Sequence, residues 1–235
     1  MKQTGRYLII LAAVVILWNT VIVKPLKLFA VFLHELGHSL MAVVFGYGIT
    51  GLRINLDESG YALTLPKNDL SAFLIANGGY LGSVFFAILI LLLKRTPFKK
   101  FLLGAAAILL LGVSIAYGKS VFTIVYSAIF AGVVLLLYML HKEKLNDWVI
   151  DILGISSAAY AVYDTFVDTI LLQLNLRLHL IQGWKTSQPM TDAVQIEQMT
   201  HIPAMVWGLI WLAIAVLALY AVILKSKPSG GKKRA

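Results

Sequence analysis

The chain has 235 residues, of which 60% are hydrophobic and only 13% charged, with a mean hydropathy of +0.85. Soluble domains carry about 25% charged residues, so this chain cannot coat a water-facing surface, and its apolar content equally excludes disorder. The excess of 20 Lys and Arg over 11 Asp and Glu, a net +9, falls between and after apolar runs, where it orients a membrane protein rather than gripping nucleic acid.

A membrane-spanning helix takes about 20 mostly apolar residues. Seven segments qualify in chain order: residues 7–23, 28–47, 70–93, 101–117, 120–140, 148–176 and 202–224. The first follows Lys2 and Arg6 but has no A-x-A-like cleavage site, so it is expected to be retained rather than removed as a signal peptide. Between the second and third, residues 48–66 place Ile49, Leu52, Ile54 and Leu56 before Asp57-Glu58-Ser59-Gly60, then Tyr61, Leu63 and Leu65. Two β-prone runs around a polar turn predict a hairpin, which must lean on helices or bilayer because an isolated hairpin is marginal in water. The expectation is an all-α polytopic membrane protein of about seven transmembrane helices, with one domain over residues 1–224 and a basic disordered tail at 225–235. Placing that tail in the cytoplasm puts Lys24, Lys27, Lys94, Arg95, Lys99, Lys100, Lys142 and Lys144 on the same side. Seven spans then leave the N-terminus outside, against the vote of Lys2 and Arg6.

Inside the second span stands His34-Glu35-Leu36-Gly37-His38. Histidines at i and i+4 share one helix face, and both imidazoles can reach one Zn²⁺. Glu35, beside the first, is placed to take a proton from zinc-bound water; this is the H-E-x-x-H pattern of metallohydrolases. Ionisable groups within an apolar span cost at least roughly 2.5–3.5 kcal/mol to insert, so three in five positions point to function rather than packing. A catalytic zinc usually takes three protein ligands. The chain has no Cys, so the third is His, Asp or Glu. Asp164 and Asp168, one helical turn apart in the sixth span, are candidates for ligation or for a place behind the ligands. Depth along the helices favours Asp164. Asp151 reads as a solvated helix end, and Asp192, His179 and His201 as solvated groups in or beside the following loop. Asn77, before Gly78 and Gly79, has the chemistry to hydrogen-bond a substrate carbonyl or to pack helices.

The His-Glu-Leu-Gly-His span, the hairpin after it and a later span with an Asp resemble the site-2 protease family of intramembrane zinc metallopeptidases. Residues 32–39, Asn77-Gly78-Gly79-Tyr80-Leu81-Gly82, residues 163–170, Thr191-Asp192-Ala193 and Trp207-Gly208 resemble a bacterial and plant branch of it. The resemblance implies hydrolysis of membrane-embedded protein or peptide substrates, with His34 and His38 as zinc ligands and Glu35 as general base. It implies a multi-pass protein of a cell membrane, a bacterial plasma membrane in that branch. Better-known members take the third ligand from a Leu-Asp-Gly motif that this chain lacks; Asp164 fills that place by analogy and elimination. The alternative is a non-catalytic membrane metal-binding or transport protein, a pseudoprotease. A transporter is expected to show corresponding broken helices in two halves, and no such repeat is evident. Oligomeric state is not legible.

Overall fold

A computed structural model describes residues 3–184 and 189–224; the basic tail at 225–235 lies outside them. Among the described residues the chain is all-α apart from one hairpin, as expected, and six helices are long and apolar enough to cross a membrane. The first expected span is the exception. Helix α1, Gln3–Ile16, has 14 residues, about 21 Å at 1.5 Å per residue, short of a hydrocarbon layer of about 30 Å. It ends before Trp18, and the Thr20 hydroxyl turns back to donate to the Leu17 carbonyl at 2.7 Å.

Helix α2, Lys24–Phe45, starts with Pro25 in its first turn, where the missing N–H costs nothing. Helix α3, Asp69–Leu93, opens on a capping box: the Asn68 side chain accepts from the Ser71 N–H, and the Ser71 hydroxyl accepts from the Asn68 N–H. These two helices run antiparallel with their backbones touching. A Cβ at Gly37 would strike the Gly78 carbonyl, and one at Gly82 would lie 2.6 Å from the Gly37 Cα. Small residues permit such contact between membrane helices.

Strands β1, Ile49–Ile54, and β2, Gly60–Thr64, form the antiparallel hairpin, with Leu52 opposite Ala62 and Ile54 opposite Gly60. Its support comes from the joint between α4, Leu102–Tyr117, and α5, Val121–Met139. Lys119 donates its N–H to the Leu52 carbonyl at 2.9 Å, and Ile54 donates to the Thr123 hydroxyl at 2.9 Å. One edge of the hairpin is thereby satisfied. The Gly60–Thr64 strand lines the central cavity instead.

Helix α6, Glu143–Thr165, continues through a π-helical turn, Phe166–Leu171, into α7, Leu172–Leu178. Wide turns of this kind collect at functional sites; here the turn brings Thr169 against Gly208 of α9, Ala204–Leu224. Before α9 the chain folds inward as α8, Asp192–Thr200, capped by Thr191. Its Ala193, Val194 and Ile196 pack with Ala76 and Tyr80 of α3 and Trp211 of α9. That packing draws the loop after the sixth span into the centre of the molecule.

Candidate metal centre

His34 and His38 rise one turn apart on α2 toward α3, with their Nε2 atoms 3.2 Å apart. The His38 Nδ1–H donates to the Ile75 carbonyl at 2.7 Å. His34 Nδ1 lies 3.4 Å from the Ser83 oxygen, whose own proton goes to the Gly79 carbonyl at 2.7 Å. A carbonyl only accepts, and a hydroxyl that has given its proton accepts, so both rings hold the proton on Nδ1 and present a lone pair at Nε2. Asp192 Oδ2 completes the group, 3.1 Å from each Nε2.

Two imidazoles and one carboxylate form the donor set of a three-ligand catalytic zinc site, and these atoms lie close enough together to hold one ion. Space for it is preserved on the α3 side. A Cβ at Gly79 would collide with both Nε2 atoms and stand 2.7 Å from Asp192 Oδ2.

Glu35 is 5% exposed and sits beside the hairpin, where a Cβ at Gly60 would lie 2.8 Å from its Oε1. It opens on a cavity of about 350 Å³ walled by α2, the β2 strand, α6 and the start of α8. Tyr160 and Asp164 of α6 and Asp168 of the following π-helical turn supply one wall. Because α2 begins at Lys24, the depths of His34 and Asp164 match: Asp164 Oδ2 lies 3.9 Å from His34. The approach is to Nδ1, away from the Nε2 atoms that converge with Asp192. Asp168 lines the same cavity one turn further on.

Asn77 bonds within α3 and across to α9. Its amide donates to the Phe73 carbonyl at 2.9 Å, and its oxygen accepts from the Trp211 indole at 3.0 Å. Trp211 stacks on Tyr80 at 4.8 Å, and Tyr80 meets the His34 ring edge-on at 4.8 Å, so the residue steadies the site through two aromatic rings. Asp151, expected at a solvated helix end, is fully buried against Arg6 and Lys94. His179 and His201 terminate α7 and α8 in left-handed conformations.

Asp192 is the residue that a reading by spans passes over, because it stands outside every apolar run. A local signal does exist. Thr191 is a good N-cap, and Ala193, Val194 and Ile196 after it mark the buried face of a short helix.

The model of a protein family described as Peptidase M50B-like matches residues 7–222. Neither curated proteins nor solved structures provide a match.

Proposed function

The chain belongs to the Peptidase M50B-like family, the site-2 proteases, and on that premise we propose that it is an intramembrane zinc metallopeptidase that hydrolyses peptide bonds of membrane-embedded substrates. The observation that carries the reading is the convergence of His34 Nε2, His38 Nε2 and Asp192 Oδ2 at the place kept open by Gly79. We assign these three as the zinc ligands, with Asp164 on the far side of the His34 ring as an orienting acid. A zinc ion held there supplies Lewis acidity, lowering the pKa of a water to about 7 and polarising a carbonyl.

The chain's own residues do the rest. Glu35 takes the proton of the attacking water on its carboxylate and returns it to the amide nitrogen as the C–N bond breaks. Its burial at the cavity wall keeps bulk water from competing for that proton. The β2 strand, with its other edge committed to β1, offers main-chain groups to a substrate lying extended beside it. An extended substrate suits the chemistry, because a helical peptide has its carbonyls engaged and turned away from attack.

The test measures zinc content and cleavage of a membrane-anchored reporter peptide in purified protein. Glu35→Gln is expected to keep one zinc and lose at least about 100-fold in turnover, the lower range for a general base. Asp192→Asn should lose both zinc and cleavage, while Asp164→Asn keeps zinc. Cleavage surviving in Glu35→Gln would overturn the mechanism and favour a metal-binding role without hydrolysis. Zinc lost from Asp164→Asn but retained in Asp192→Asn would reverse the ligand assignment.

A further inference from the structure

A second cavity, of about 370 Å³, opens where α4 begins, α5 ends and α6 begins, on the face that carries the basic loops. Lys99, Lys100, Tyr138, His141, Glu143 and Asp147 contribute to its lining. The charges are not all matched to one another. Lys99 pairs with Asp147 at 3.4 Å. Lys100 has no carboxylate partner among the described residues; its Nζ lies 4.9 Å over the Phe101 ring. The His141 Nδ1–H donates to the Met139 carbonyl at 2.7 Å, which leaves Nε2 with a free lone pair. Glu143, exposed in the first turn of α6, has no ion pair among the described residues. One free cation, one imidazole nitrogen and one free carboxylate therefore surround a single cavity.

The floor is rigid. The Tyr138 hydroxyl donates to the Lys100 carbonyl at 3.0 Å and accepts the Gly104 N–H at 2.8 Å, tying the two ends of the α4–α5 pair together. Next to the lining residues in the chain, Phe98, Phe101, Met139 and Leu140 are each more than half exposed. A ligand that fits carries a negative and a positive group on a short spacer and an apolar tail able to follow the outward faces of α4 and α5. Phosphate meets a Lys ammonium well, and a ligand ammonium meets a carboxylate and an imidazole lone pair.

We propose that this cavity binds the headgroup of an aminophospholipid, with its phosphate at Lys100 and its ammonium at Glu143 and the His141 Nε2 lone pair. The site is separate from the metal centre and independent of any reading of its chemistry.

Native mass spectrometry of the purified full-length protein tests this with phosphatidylethanolamine, phosphatidylglycerol and phosphatidylcholine of identical chains, and with soluble phosphoethanolamine as competitor. Phosphatidylethanolamine is expected to bind about tenfold more tightly than the other two, and Lys100→Gln and Glu143→Gln each to weaken it about fivefold, the scale of one charge-assisted contact. Lys119→Gln, at the opposite end of the α4–α5 pair, should leave binding unchanged. Equal binding of phosphatidylglycerol with no effect of Glu143→Gln would reduce the site to simple anion attraction and overturn the proposal. Wild-type binding in both variants would place the lipid elsewhere, and competition by phosphoethanolamine at lipid-like concentrations would show that a soluble headgroup, not a lipid, is the ligand.

Discussion

Gly79 bears more directly on the candidate metal centre than its lack of a side chain suggests. Glycine inside a helix costs about 1 kcal/mol relative to alanine, yet here it faces the two imidazoles and Asp192, and a Cβ would occupy the space between them. Gly79→Ala should therefore give a protein with at least native helix content and no zinc, measured by circular dichroism and metal analysis. Gly112→Ala, where nothing lies within 4 Å, should keep its zinc. A fully metallated Gly79→Ala would show that the ion sits elsewhere. The residue scale also shows which parts of the site could be read in advance. His34, Glu35 and His38 are legible because helical spacing alone brings them together. Asp192 is not, since it reaches His34 across 158 positions of chain and depends on how α8 packs. Asp164 lies between these cases: helical rise fixed its depth beside His34, but rise says nothing about which face of the imidazole a side chain meets.

At the scale of elements, α1 departs furthest from expectation. The apolar run at residues 7–23 has the length of a span, and length was the signal; the break after Ile16 comes from the polar turn at Asn19 and Thr20 and from Pro25. Near its start, Arg6 meets Asp151 of α6 and Lys94 caps α3. Past its end, Val23 packs into the same cluster as Tyr7, Leu91 and Val222. We expect the segment to enter and leave by one face, with the described start of α1 and end of α9 on the side of Lys94 and Arg95. That placement would also bring Arg6 into line with the positive-inside rule. A chain without cysteine allows a direct check by single-cysteine labelling with an impermeant thiol reagent. Gln3→Cys and Arg95→Cys should label from one side of sealed vesicles and Lys67→Cys from the other; Gln3→Cys labelling together with Lys67→Cys would restore a crossing α1. The hairpin, by contrast, forms within the expected residues 48–66, because alternation and a polar turn are local signals, although its dependence on the α4–α5 joint is not.

Among the described residues, buried charge lies at the candidate metal centre, at Lys27 paired with Glu58, and in an ion cluster that ties three helices together. In that cluster, Asp151 is wholly buried, its Oδ2 lies 2.5 Å from Lys94 Nζ, and it pairs also with Arg6, which stacks over Trp148. Lys94 donates as well to the Asp147 carbonyl at 2.9 Å. One acid thus holds the start of α1, the end of α3 and the start of α6. Removing one member of a buried ion group costs about 3–5 kcal/mol because the remaining charges lose their partner, whereas replacing the whole group with apolar residues is often neutral. Asp151→Ala should accordingly lower stability by that amount, read from the unfolding midpoint in detergent, since it leaves two cations facing each other. The combined change Arg6→Met, Lys94→Met and Asp151→Leu should recover most of the loss. Zinc content should stay unchanged in the recovered variant, because none of these residues touches His34, His38 or Asp192. Stability that stays as low in the combined variant as in Asp151→Ala would mean that the specific hydrogen bonds of this cluster, not relief of unpaired charge, hold α1 to the helices that carry the site.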